Sequence, residues 1–204
     1  MKSLIIKDIY NISKNITYVI LIYVVFAFVF ISSSGIESYV CMCGAISGMM
    51  IVTTFSFDTS SNWNRYAAVM PVTKKHIVGA KFITLLIFTL CGIAAGVVIG
   101  CVIELIKEGG VDFSSVMLSA MVSLSIGEIF ASMAIPIMFK VNVEKGRMVI
   151  ILIYMIILIS VFSVIKNNAL PHMQLVIWCL PAAALLWNLL MYKVSCILFS
   201  KRDL

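Results

Sequence analysis

Charged residues are scarce in this chain. They make up 12% of its 204 residues, while 62% are hydrophobic; soluble domains run at roughly a quarter charged. So few ionised side chains could not keep that much apolar surface in water, so the surrounding medium is a bilayer. Histidine is down to two residues and proline to four. The chain contains no GxxxxGK[ST], and so no phosphate-cradling loop of its own. HExxH, CxxC and GxSxG are also missing. Chemistry inside a membrane needs several polar groups converging at depth, and the apolar runs hold one deep carboxylate, Glu128. No catalytic residue is expected, nor any metal or cofactor bound by this chain.

What is present is a set of long apolar runs. A bilayer-spanning helix takes about 20 mostly apolar residues. Six stretches qualify, at 16–33, 37–57, 79–103, 114–139, 148–165 and 173–199. The expected fold class is all-α: a polytopic membrane protein with six transmembrane helices in a single domain over 1–204. Thirteen of the fifteen bases lie before the first span, in alternate connections and at or after the end of the last span. Lys107 and Lys166 are the two on the opposite side. The positive-inside rule puts the thirteen in the cytoplasm, and an even number of spans brings both termini there. The net charge of +6 thus reports topology rather than nucleic-acid binding. His76 and His172 then fall at opposite membrane faces and cannot share a site within one protomer. The basic start, apolar run and SSSG at Ser32–Gly35 imitate a secretory signal. The run is longer than a signal core of about 7–15 residues and five more spans follow it, so retention is expected.

Smaller patterns sit on this plan. Ile5, Ile9, Ile12 and Ile16 recur at helical spacing, with Lys7, Asn11 and Lys14 on another face, which predicts an amphipathic interfacial helix over 1–15. The alternative is a ragged extension of the first span. Gly44 and Gly48 form one GxxxG, and Gly92, Gly96 and Gly100 a double one. Such ridges let helix backbones approach closely, within or between protomers. Pro136 and Pro181 lie inside spans and favour kinks. The six cysteines, including the Cys41-x-Cys43 pair, read as small apolar packing residues. Residues two apart on a helix do not face each other, so neither a disulfide nor a metal site is favoured there.

Two polar features remain. Ser125, Glu128 and Ser132 form one stripe at i, i+3 and i+7. A carboxylate at bilayer depth costs a few kcal/mol and must face protein, water or a partner. The stripe either lines a translocation path or ties helices together. The second feature is the long interruption from Phe57 to Phe82. Asp58, Thr59, Ser60 and Ser61 offer helix caps. Trp63, Tyr66, Ala67 and Met70 share one face of a short helix, with Asn62, Asn64 and Arg65 opposite. Pro71 ends that helix, and Thr73 can cap the next. Its aromatic face suits either the membrane interface or a groove on another protein.

The residues of this interruption resemble the pattern of compact type-2 ABC exporter permeases. That pattern has an acidic residue, a Trp and a Tyr, then Leu-Pro-Val-Ser, two bases, Ile-Val and a Lys. Here it reads Asp58, Trp63, Tyr66, Met70-Pro71-Val72-Thr73-Lys74-Lys75, Ile77-Val78 and Lys81, with Met70 standing for the usual Leu and Thr73 for Ser. Ile135-Pro136-Ile137, Phe139-Lys140-Val141 and Glu144-Lys145-Gly146-Arg147 match a second stretch. Within the group the chain is similar to permeases that export phenol-soluble modulins. The resemblance implies a homodimer working with two copies of a separate ABC ATPase, which binds the ATP and Mg. It implies that 58–78 is a cytoplasmic coupling segment, with Trp63, Arg65, Tyr66, Met70 and Pro71 as ATPase-coupling residues. It implies export of amphipathic peptides or similar amphiphiles across a bacterial cytoplasmic membrane, with no nucleic-acid partner. Two other readings stand beside it. One is the membrane subunit of an ATP-driven vitamin importer. The other is a proton-coupled transporter using Glu128, although the two halves show no clear repeat.

Overall fold

The computed structural model describes residues 1–33, 35–63, 66–67, 73–107, 113–141, 143–166 and 173–200. Among these there is no strand. The helices are α1 (Lys2–Ser13), α2 (Ile16–Ser33), α3 (Gly35–Ser60), α4 (Lys74–Lys107), α5 (Phe113–Lys140), α6 (Val143–Lys166) and α7 (Met173–Ser200). Each of the six expected spans is helical. Among the described residues four helices are long and apolar enough to cross a membrane (α3, α4, α5 and the part of α7 from Cys179), or five if the bent pair α1–α2 counts as one span. The chain is thus an all-helical, multi-pass membrane protein.

α3 lies at the centre because glycines let its neighbours come close. Gly44 and Gly48 face α5: a Cβ on Gly44 would stand 2.0 Å from Ser123 Oγ, and one on Gly48 would stand 3.1 Å from the Gly127 carbonyl. Ser123 donates across this contact to the Val40 carbonyl at 2.9 Å. Gly92, Gly96 and Gly100 of α4 take up Ser47, Cys43 and Ile36 of α3 in the same way. Both glycine ridges are therefore filled within one protomer. α2 is tied to α3 by two phenols: Tyr23 donates to the Cys43 carbonyl and Tyr39 to the Tyr23 carbonyl, each at 3.1 Å. Gly35 starts α3 with φ 80°, a left-handed backbone that glycine adopts without a Cβ penalty. α5 runs unbroken through Pro136, and α7 through Pro181. Among the cysteines, Cys43 packs as expected, whereas Cys91 and Cys179 are exposed on the helix surface.

α1 leaves α2 at an angle of 61°, so it lies across the end of the bundle. Its inward face is Leu4, Asp8 and Ile12. Of the expected isoleucine stripe, Ile12 is buried and Ile5 packs against the core, while Ile9 and Ile16 are exposed on the protein surface. Asp8 sits in the middle of the inward face because its carboxylate meets a buried cation.

The connection after α3 also differs from expectation. Asp58, Thr59 and Ser60 do not cap a new helix but complete α3. Thr59 and Ser60 donate back to the carbonyls of Phe55 and Phe57, each at 3.0 Å, which is the back-bonding that lets such residues sit in a helix. Just past the end of α3, Asn62 has a φ of 52°, the left-handed conformation that asparagine tolerates at helix ends. Downstream, Thr73 caps α4 as expected, with the His76 N–H 3.4 Å from its Oγ1. Residues 74–78 belong to α4, which at 34 residues is about 50 Å long and so outreaches a bilayer core of ~30 Å. Residues 61–73 therefore join α3 to α4, and the expected 58–78 segment takes in the last residues of α3 and the first of α4 as well.

Candidate functional site

The connection and α1 meet at the basic end of the bundle, where α3 ends, α4 begins and α5 passes into α6. Trp63, Tyr66 and Ala67 are helical, but they do not share an outward face. Trp63 is half-buried against the main apolar core, and Ala67 is buried in it. Tyr66 is 62% exposed. The expected aromatic knob is thus divided, with the indole inward and the phenol outward. Arg65, Met70 and Pro71 lie outside the described residues.

Behind Trp63 is a closed ring of four charges. Lys81, two turns into α4, is 3% exposed. Its ammonium lies 3.0 Å from Asp8 Oδ2, 2.6 Å from Asp58 Oδ2 and 3.0 Å from Thr54 Oγ1. An ammonium has three donors, and all three are used. Lys7 closes the ring, 3.2 Å from Asp8 Oδ1 and in direct contact with Asp58 Oδ1. Asp8 is 1% exposed. Two carboxylates and two ammoniums balance, and this is what makes their burial tolerable. The ring joins α1, the end of α3 and the beginning of α4.

The ring forms one wall of a cavity of about 320 Å³, whose other walls include Trp63, Phe55, Phe139, Val143 and Glu144. Lys7 Nζ stands 4.4 Å from the centre of the Trp63 ring, and Lys81 Nζ 4.8 Å from that of Phe55. The Phe55 and Phe139 rings meet edge to face, and Phe139 meets Phe199 at a tilt of 40°. Sequence reasoning missed the ring. Its available signal was an acid or a base near the same end of three helices: Asp8 in α1, Asp58 in α3 and Lys81 in α4.

The expected polar stripe lies deeper. Ser125, Glu128 and Ser132 are all buried. The two serines donate within their own helix, to the Met121 and Ile129 carbonyls. Glu128 reaches out. Thr89 of α4 hydrogen-bonds its Oε1 at 2.6 Å, and Asn188 of α7 donates to its Oε2 at 2.8 Å. The carboxyl is therefore a three-helix junction whose two oxygens are both occupied. Thr89 and Asn188 went unremarked in the sequence, although a lone Asn amid leucines in the last span was the available clue.

Residues 3–200 match the family described as ABC-2 family transporter protein. The chain belongs to this family. No curated protein and no solved structure matches it. An ABC-2 permease is the membrane component of an ABC transporter; it is not itself catalytic and partners an ABC ATPase. The charge ring, the half-buried Trp63 and the exposed Tyr66 are features of this permease at the end where its basic connections gather.

Proposed function

We propose that this ABC-2 permease is the membrane half of an ATP-driven exporter, acting as a homodimer of six-span protomers with two copies of a separate ATPase. Both termini face the cytoplasm of a bacterial cell, and the 61–73 connection is the coupling segment that seats in the ATPase. The observation that carries the reading is the family match over nearly the whole chain, joined to a connection that exposes Tyr66 and follows a helix end held in a buried charge ring. ATP and Mg belong to the ATPase. The cargo we propose is amphipathic cytolytic or antimicrobial peptides, or similar amphiphiles. Its support is the resemblance of the Asp58–Lys81 and Ile135–Arg147 residues to permeases with such cargo.

Glu128, Ser125 and Ser132 act here as packing groups rather than as a lining of the path. The support is that both Glu128 oxygens are taken by neighbouring helices. This weighs against the proton-coupled alternative, as does membership of an ATPase-linked family.

The test is co-purification of the ATPase from membranes with equal permease levels. Tyr66→Ala should lose the ATPase by an order of magnitude or more, since an aromatic anchor commonly contributes ~2 kcal/mol. Lys75→Ala, an exposed charge, should change retention little. Retention of the ATPase by Tyr66→Ala at the wild-type level would leave the connection as an interfacial helix only.

A further inference from the structure

The group that faces the Trp63 indole comes from the far N-terminal part of the chain. Lys7 Nζ stands 4.4 Å from the ring centre, close enough for attraction by the ring quadrupole. The Lys7 side chain is largely withdrawn from solvent, at 22% exposed, and desolvation strengthens such a contact. The ammonium is itself held in place by Asp58 and Asp8, whose charges Lys81 completes. Trp63 and Lys7 both border the cavity of about 320 Å³. The indole thus has open space beside it, and apolar packing alone does not confine it to one place. Three residues on, Tyr66 points outward.

We propose that Lys7 is a positioning residue for the connection after α3. Its ammonium seats the Trp63 indole in the cavity wall, and this sets the direction in which Tyr66 is presented. The N-terminal helix α1 is then part of the apparatus that meets the ATPase, without touching it. Only this last step rests on the reading that the connection docks an ATPase; the seating of Trp63 does not.

The first measurement therefore uses the permease alone in lipid nanodiscs. Trp178→Phe and Trp187→Phe leave Trp63 as the sole tryptophan, and iodide quenching reads its exposure. Lys7→Met with Asp58→Asn removes the cation over the indole yet leaves Asp8 and Lys81 as a balanced pair, so no unpaired charge is buried. Its quenching constant should rise by roughly two- to fivefold, the factor equivalent to losing one cation–π contact. Lys7→Arg should quench like the wild type. Asp8→Asn with Lys81→Met removes an equal pair of charges but keeps Lys7 beside Asp58, and should leave Trp63 shielded. Unchanged quenching in the Lys7→Met pair overturns the proposal. So does equal exposure in both pairs, which would make the ring a general clamp.

A second measurement joins the two steps. ATPase retention should fall in the Lys7→Met pair and hold in the Asp8→Asn pair. A permease with Trp63 released but the ATPase fully retained would overturn the link from seating to docking. If wild-type permease retains no ATPase at all, it is the docking reading that fails, while the quenching result still decides the role of Lys7.

Discussion

Glu128 shows how a single polar side chain in a bilayer is made tolerable by its neighbours. Lipid offers no hydrogen bonds, so each polar atom must find a protein partner. Thr89 and Asn188 supply them from two other helices. The two partners are not equally dependent on Glu128. The Thr89 hydroxyl has a second contact with the Leu86 carbonyl at 3.0 Å, whereas Asn188 Oδ1 has no hydrogen-bond partner, so the Asn188 amide relies on its bond to Glu128. Glutamine at 128 can accept from Asn188 and donate to Thr89, and Glu128→Gln is expected to stay within about 1 kcal/mol of wild type. Glu128→Leu would leave the Asn188 amide without its acceptor and should cost about 1–3 kcal/mol. Thermal unfolding of the detergent-solubilised permease distinguishes the two. Transport by Glu128→Gln at the wild-type rate would accord with a packing role.

At the scale of helices, the glycine ridges decide how the bundle closes. Where a glycine faces backbone or the root of a side chain, a methyl group has nowhere to go. A Cβ on Gly92 would stand 2.2 Å from Ser47 Cβ, forcing α3 and α4 apart. Gly92→Ala should destabilise the permease by about 1–3 kcal/mol, the usual cost of overpacking. Gly79 is the control on the same helix. Its nearest neighbour would be the end of the Met1 side chain at 2.8 Å, which can swing aside, so Gly79→Ala should be nearly neutral. Melting temperatures of the two variants in one detergent make the comparison. Equal losses would mean that the ridge does not set the helix spacing.

For the whole molecule, the structure gathers at one end the elements that carry most of the bases. Lys7 meets Asp58, Lys81 meets Asp8, and Lys74 donates to the Ser200 carbonyl at 3.3 Å. The N-terminal helix and the end of the last helix therefore lie on the same side of the bundle. In the orientation we propose, which follows the positive-inside rule, that side faces the cytoplasm. A reporter that functions only in the cytoplasm, fused after Leu204, should be active. An expressed but inactive fusion would overturn both the orientation and the even number of spans.

Apolar run length and the placement of bases are local properties, and from them alone the chain declares itself a helical membrane protein with its basic connections on one side. The cap at Thr73 and the glycine spacings were legible for the same reason, because each depends on residues within a turn or two. Pairings across the chain were not. Asp8 and Lys81 are 73 positions apart, and neither side chain indicates in advance that the other will lie beside it. Periodicity showed that Trp63, Tyr66 and Ala67 are helical neighbours. It could not show that α1 would bend back through 61° and place a lysine over the indole. Asp58 illustrates the same limit. A run of Asp, Thr and Ser satisfies a helix start or a helix end equally well, by capping or by back-bonding. What settled it was tertiary: a buried ammonium from α4 that holds the carboxylate of Asp58 at the last turn of α3, because a buried charge must meet its opposite wherever the fold brings one.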